Sequence, residues 1–111
     1  FRRMAPRFSK ENFPKNLELV DKLNELAKKK NCTPGQLTLA WILAQGEDFI
    51  PIPGTTKIKN LEENAATVNI KLTEAEIKEI RPACEKATVA GERYPTTFVS
   101  TLFGDSAPKK P

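Results

Sequence analysis

The order of the predicted elements is typical of an α/β protein with a parallel sheet, of which these 111 residues would form only a part. Apolar residues with helical spacing predict four helices. One short run of strand-forming residues lies between the second and the third helix. A lone strand leaves unpaired backbone groups along both edges, so we expect the chain to be a piece of a larger protein.

The first two helices are predicted over residues 14–46. Pro14 suits the first position of a helix, and apolar residues follow it at spacings of three and four. Thr33 can cap the second helix, and Gln36 can complete a capping box with it. Gly46 is expected to stop that helix. Because the second helix is apolar over nearly its whole circumference, we expect it to have neighbours on most sides.

The single strand is predicted over residues 48–54, because Phe49, Ile50 and Ile52 favour extended backbone. The prolines in this segment keep the strand short. Residues 55–68 follow as a loop and a third helix, which begins at Lys59 or Asn60. Helix, strand, turn and helix in this order predict the closing unit of a parallel sheet.

A fourth helix is predicted over residues 73–87, because Thr73 and Glu76 form a second capping box ahead of an apolar stripe. Residues 1–13 are basic and contain proline without any periodicity, which indicates a loop. Residues 88–111 also lack a period and are interpreted as a tail.

Composition and charge exclude several classes of function. The chain has a net charge of +4, no histidine and two cysteines, Cys32 and Cys84. Without histidine it cannot form a His-based triad or a Cys/His zinc finger, and we predict no metal site. Mean hydropathy is −0.47, and no apolar run approaches the roughly 20 residues that cross a bilayer. We expect a cytoplasmic protein with free thiols and with neither a membrane nor a nucleic-acid partner.

A Gly-Thr-Thr-Lys segment joins the predicted strand to the third helix and carries the candidate site. Gly54 removes side-chain bulk where a ligand would approach the backbone, and Thr55 and Thr56 offer hydroxyl and N–H groups. Lys57 and Lys59 supply positive charge at the start of a helix, whose free N–H groups favour anions. A phosphate monoester fits this set of donors. Taken alone, the segment is more typical of a plain turn before a helix.

Several segments closely resemble the C-terminal part of aldo-keto reductases, in the same order and at the same spacing, over about residues 7–95. They are Thr33–Gly46, Ile50–Lys57, Leu61–Asn64, Lys71–Ile77 and Gly91–Pro95. The first is similar to the seventh barrel helix, and the next two to the last strand-and-helix unit. The fourth is similar to the start of the extra C-terminal helix. The fifth is similar to the tail of the branch related to auxin-induced and bacterial stress reductases.

The resemblance implies the C-terminal fragment of a (β/α)8 TIM barrel, namely its last helix-strand-helix units with the extra helix and the tail. The loops after strands 7 and 8 of such barrels often hold a phosphate. By resemblance, this would be the 2′-phosphate of NADPH, with Lys57 as the first choice for the ionic contact and Lys59 as the second. Asn60 lies where the family often directs a cationic or polar residue to the same group. Glu63 and Asn64 match positions that hydrogen-bond the adenine or its ribose.

The family reduces aldehydes and ketones to alcohols with an Asp, a Tyr, a Lys and a His from earlier strands, and their motifs do not occur in this sequence. Tyr94, the single tyrosine, falls in the tail and is not interpreted as the general acid. We therefore predict no catalytic residue here and an inactive isolated chain. The implied partners are the N-terminal remainder of the same barrel and a small carbonyl substrate. The alternative is a free-standing small helical module that binds an acidic partner.

Overall fold

The structure, a computed structural model, describes residues 2–99 of the chain. Four helices of eight or more residues are observed at the four positions that the sequence predicts. They are α1 (Phe13–Lys30), α2 (Pro34–Leu43), α3 (Ile58–Ala65) and α4 (Glu74–Lys86). Shorter helical turns are formed by Arg2–Met4, Pro6–Phe8, Ala66–Asn69 and the four-residue helix α5 (Thr96–Val99). The last twelve residues of the predicted tail, 100–111, lie outside the described part.

The chain divides into two compact units. The larger one is Glu18–Ala87, and the smaller one combines the described parts of Phe1–Leu17 and Thr88–Pro111. None of the helices described here combines the length and the apolar character that a membrane crossing requires.

The core of the larger unit is built by side chains from α1, α2 and α4. Its buried members are Leu26, Ala27, Leu37 and Ile80. Trp41, Cys32 and Cys84 are among the partly buried side chains that pack against it. Burial raises the pKa of both cysteine thiols above its ordinary value, so the thiols favour the protonated form of a packing group.

Both predicted capping boxes are observed. At the start of α2, Thr33 Oγ1 accepts from the Gln36 amide at 3.2 Å, and Gln36 Oε1 accepts from the Thr33 amide at 3.2 Å. At the start of α4, Thr73 Oγ1 accepts from the Glu76 amide at 3.3 Å, and Glu76 Oε2 accepts from the Thr73 amide at 2.7 Å. Each box satisfies N–H groups that a helix start otherwise leaves unpaired.

The strand predicted over residues 48–54 is not formed within residues 2–99, where the structure has no strand at all. A strand exists only as a member of a hydrogen-bonded ladder, and the described residues offer it no partner strand. The segment is irregular instead, and the side chains of Ile50 and Ile52 are 82% and 92% exposed. The apolar pattern of a buried strand is therefore present without the neighbours that would bury it.

The smaller unit is held together by the side chain of Asn16, which links two segments that the sequence presents only as a loop and a tail. Asn16 Nδ2 donates to the carbonyls of Arg7 and Ala90 at 3.1 and 2.9 Å, and Asn16 Oδ1 accepts from the Ala90 amide at 2.8 Å. Next to it, Gly91 has φ +81°, and an added Cβ would lie 2.8 Å from the carbonyl carbon of Pro6. Only glycine fits this position.

Candidate functional site

A depression of about 490 Å³ lies between α2, α3 and the loop that precedes α3. We call it the α2–α3 groove. Its lining residues are Gly35, Thr38, Leu39, Pro53, Gly54, Thr55, Asn60, Glu63 and Asn64. Five of the eight predicted site residues are thus brought together. The other three, Thr56, Lys57 and Lys59, are exposed on the loop and the first turn of α3 and do not line the groove.

Gly54 leaves open space at the wall of the groove. A Cβ built on this residue would have no neighbouring heavy atom within 4 Å. Packing inside the described chain therefore does not require glycine at this position. The absence of a side chain instead keeps the backbone accessible to a molecule in the groove.

The loop before α3 is fixed by a local turn. Thr55 Oγ1 accepts from the Lys57 amide at 3.1 Å and lies 3.4 Å from the Lys57 carbonyl oxygen. That carbonyl in turn accepts from the amides of Asn60 and Leu61, each at 3.1 Å. The hydroxyl of Thr55, which the sequence suggested as a ligand donor, is engaged in shaping this turn.

Helix α3 begins without the side-chain cap that α2 and α4 possess. Lys57 occupies the N-cap position with extended backbone (φ −115°, ψ 127°), and its side chain makes no capping hydrogen bond. A lysine side chain cannot accept hydrogen bonds, so it provides no side-chain acceptor for the first-turn amides. The amides, the helix dipole and the ammonium groups of Lys57 and Lys59 together make this helix start positive. Such a site favours a bound anion.

Glu63 is held by residues at the start of α2. Its Oε1 accepts from the Thr33 hydroxyl at 2.7 Å, and its backbone carbonyl accepts from Gln36 Nε2 at 3.0 Å. No sequence pattern predicts this contact, because pairs 30 residues apart have no periodic relation. The sequence also missed Gly35 and Thr38, which add α2 to the groove wall. A small residue in the first turn of an otherwise apolar helix was the one available signal for Gly35.

A second depression, of about 430 Å³, is mainly apolar, and we call it the apolar groove. Leu39, Leu43, Phe49, Ile50 and Val68 are among its lining residues. Thr67, which also lines it, is buried, and its Oγ1 has no hydrogen-bond partner among the described residues.

The described residues contain no group of three or more His, Cys, Asp or Glu side chains that could hold a metal ion. Tyr94 lies in the smaller unit, where the Arg93 guanidinium is 5.5 Å from the centre of its ring.

The sequence matches the family model described as "Aldo/keto reductase family" over residues 1–85. The chain therefore belongs to the aldo/keto reductase family, whose fold is a (β/α)8 barrel.

Two relatives show how much of such a protein the chain represents. It is 56% identical over 108 residues to the NADP(+) aldo-keto reductase yakc of Schizosaccharomyces pombe. The aligned region is 97% of this chain and 32% of that protein. It is 55% identical over 93 residues to aldo-keto reductase str7 of Strobilurus tenacellus. The aligned region is 84% of this chain and 28% of that protein. The chain spans about a third of the length of the curated relatives that it matches.

Proposed function

We propose that this chain is the C-terminal part of the barrel of an NADP-dependent aldo-keto reductase and that it binds the adenosine 2′-phosphate end of NADPH. The observation that carries this proposal is the uncapped, positive start of α3, which adjoins a groove lined by Asn60, Glu63 and Asn64. The similar protein of Schizosaccharomyces pombe is named as an NADP(+) enzyme, which supports the choice of cofactor.

The residues of the α2–α3 groove fit an adenosine phosphate. Its volume falls within the range of about 300–1,000 Å³ that is usual for small-molecule sites. Leu39 and Pro53 offer apolar surface to a base, and the Asn64 amide can donate and accept at once. Lys57, with Lys59 as the second candidate, would neutralise the phosphate next to the α3 amides. When bound, NADPH supplies the hydride that reduces a carbonyl group.

The parent enzyme would reduce a small aldehyde or ketone to an alcohol, while the residues of this chain bind and orient the cofactor. The catalytic Asp, Tyr, Lys and His would come from the N-terminal remainder of the barrel, which we propose as the chain's partner. This chain, which has no histidine, would be inactive by itself. The proposal also places the enzyme in the cytoplasm, without a membrane or nucleic-acid partner.

The apolar groove supports the proposed partner. The side chains of Phe49, Ile50 and Ile52 are 52%, 82% and 92% exposed, and they follow one another along a single irregular segment. Large exposed apolar patches mark surfaces that another protein part covers. In the proposed barrel, this segment pairs as a strand and Ile50 and Ile52 become buried.

Substitution of Lys57 by alanine in the full-length protein tests the cofactor assignment. A charge-assisted hydrogen bond contributes about 1.5–3 kcal/mol, so we expect the NADPH dissociation constant to rise roughly 10- to 100-fold. NADH lacks the 2′-phosphate, and its dissociation constant should stay within about twofold. Lys59→Ala tests the second candidate, and Lys78→Ala on α4 is the matched control. Equal losses for NADPH and NADH would refute the assigned role of Lys57.

A free-standing helical module that binds an acidic partner is the second candidate. The buried cluster of Leu26, Ala27, Leu37 and Ile80 favours it, because it gives the larger unit a small core of its own. Circular dichroism and thermal melting of the isolated chain separate the two candidates. A single cooperative transition of the isolated chain would contradict the proposed fragment. A broad loss of helix without a transition would contradict the module.

A further inference from the structure

We propose that Thr33 positions the Glu63 carboxylate within the α2–α3 groove, so that the capping box of α2 also prepares the groove for the amino group of an adenine. This inference rests on the proposed function, because it concerns the same nucleotide. It adds residues of α2 that lie outside the loop and helix to which the cofactor site was assigned.

The direction of the Thr33 hydroxyl hydrogen is determined by its neighbours. A hydroxyl has one donor and two acceptor positions. The backbone N–H of Gln36 can only donate, so Thr33 Oγ1 accepts from it at 3.2 Å. The hydroxyl hydrogen is then free to point at Glu63 Oε1, which lies 2.7 Å away. This distance is typical of a hydrogen bond from a hydroxyl to a carboxyl oxygen.

Glu63 is fixed at both its backbone and its side chain. Gln36 Nε2 donates to the Glu63 carbonyl at 3.0 Å, while Thr33 holds the carboxylate. A free glutamate side chain populates many rotamers, and a ligand must then bear the entropic cost of ordering it. Because Thr33 and Gln36 order Glu63 in advance, a ligand that contacts the carboxylate binds more tightly.

The held carboxylate still has room for a ligand. A carboxylate has about four acceptor positions, and the Thr33 hydroxyl uses one of them. Gly35 lies close to the same carboxylate, since a Cβ added there would be 3.6 Å from Glu63 Oε1. The glycine therefore keeps the approach to this oxygen clear of a side chain. An exocyclic amino group, which donates hydrogen bonds, matches the remaining acceptor positions.

The second capping box of the chain shows that this arrangement is not a general property of such boxes. At the start of α4, the Thr73 hydroxyl lies 3.1 Å from Glu76 Oε2 and donates to the partner of its own box. At the start of α2, the hydroxyl instead donates to a residue 30 positions away, on the helix that lines the groove.

The test compares Thr33→Asn with Thr33→Asp in the full-length protein. Both residues cap helices about equally well, so the start of α2 is retained in each variant. The asparagine amide can donate to Glu63, whereas the aspartate cannot donate and adds a like charge. We expect Asn to bind NADPH within about twofold of the wild type and Asp to bind it roughly tenfold more weakly. NADH should weaken by the same factor, because both cofactors contain the adenine.

Two further measurements separate positioning from a structural role. In a Glu63→Ala background, the difference between Asn and Asp at position 33 should disappear. Thr33→Ser keeps the hydroxyl that makes both hydrogen bonds, so this variant should bind NADPH as tightly as the wild type. If the Asp variant does not fold, Thr33→Ala and Thr73→Ala provide the comparison, because each removes one cap. Only the change at Thr33 should then weaken cofactor binding.

Equal dissociation constants for the Asn and Asp variants would overturn the inference and leave the proposed function intact. A difference that persists in the Glu63→Ala background would overturn it as well. A wild-type protein that binds neither NADPH nor NADH would overturn the proposed function itself, and the inference with it.

Discussion

Two regions of the larger unit differ in how their helix starts are stabilised and in how far their side chains are buried. Helices α2 and α4, the capped pair, each begin with a capping box and contribute Leu37 and Ile80 to the core. Residues 46–65, the open segment, include no buried residue although the structure describes all of them, and they end in the uncapped helix α3. The starts of the capped pair are satisfied by side chains of this chain, whereas the start of α3 has no side-chain cap and residues 46–65 contribute nothing to the core.

The chemistry of the N-cap residue explains the contrast. Thr33 and Thr73 accept hydrogen bonds from the first-turn amides, which contributes about 1 kcal/mol to each helix. Lys57 cannot accept, and its positive charge lies next to the positive end of the α3 dipole. A residue that is unfavourable for its own helix is expected where function, and not stability, determines the sequence.

The largest effect is expected from a charge placed in the open segment. In the full-length protein, Ile52→Asp should lower the free energy of unfolding by about 3 to 5 kcal/mol, because the proposed barrel buries this position and leaves the carboxylate unpaired. Urea denaturation measures the change. Lys78→Asp, on the exposed surface of α4, is the control and should stay within about 0.5 kcal/mol. An equally small effect at Ile52 would contradict the proposed barrel.

A cap placed on α3 reverses the contrast directly. Lys57→Asp gives α3 the kind of N-cap that α2 and α4 have, but it opposes a phosphate with a negative charge. We expect the full-length variant to bind NADPH at least about 100-fold more weakly, which corresponds to roughly 2.7 kcal/mol. Lys57→Asn caps the helix without reversing the charge and should lose affinity by about tenfold. Titration with NADPH and NADH measures both.

Stability should change in the other direction for these two variants. Each should raise the free energy of unfolding by up to about 1 kcal/mol, because a cap is added. A variant that gains stability and keeps full NADPH affinity would show that the start of α3 does not hold the phosphate.

Removal of the α4 cap should lower stability without affecting cofactor binding. Thr73→Ala should cost about 1 kcal/mol of unfolding free energy, because the Glu76 amide loses its acceptor. The NADPH dissociation constant should remain within about twofold of wild type. Urea denaturation and cofactor titration of the same preparation check both expectations. A large loss of NADPH affinity would mean that the capped pair is not independent of the open segment.

The difference between the two regions also explains what the sequence could predict. The capped pair depends on local signals, and Thr33, Gln36, Thr73 and Glu76 identify both helix starts at spacings of three. The side chains of residues 48–54 do favour a strand, but a strand forms only beside a partner strand, and the described residues contain none. Local patterns therefore predict helices well and predict a strand only conditionally.

The candidate site shows the same limit. Gly54 and Asn64, which line the α2–α3 groove, come from one continuous segment, so the sequence could predict that they lie near each other. The contact between Thr33 and Glu63 depends on how α2 packs against α3. Such a contact arises only from tertiary structure, and neither residue carries a local signal for it.

The smallest effect is expected from the difference between the two capping boxes. The α4 box contains the charged side chain of Glu76, whereas the α2 box contains the neutral Gln36. The side chain of Lys30 and the Thr73 amide donate to Glu76 and lower the pKa of its carboxyl below the ordinary value of 4.5. The folded state therefore holds this proton less tightly than the unfolded state. The stabilisation is complete above the ordinary value and is lost as the pH falls through the folded pKa. Glu76→Gln reproduces the uncharged box of α2, and should cost at most about 1 kcal/mol at pH 7, since the ion pair is partly exposed. Melting temperatures of wild type and variant should converge as the pH falls well below the ordinary value of 4.5. A difference that stays constant with pH would show that Glu76 contributes through the geometry of the box and not through its charge.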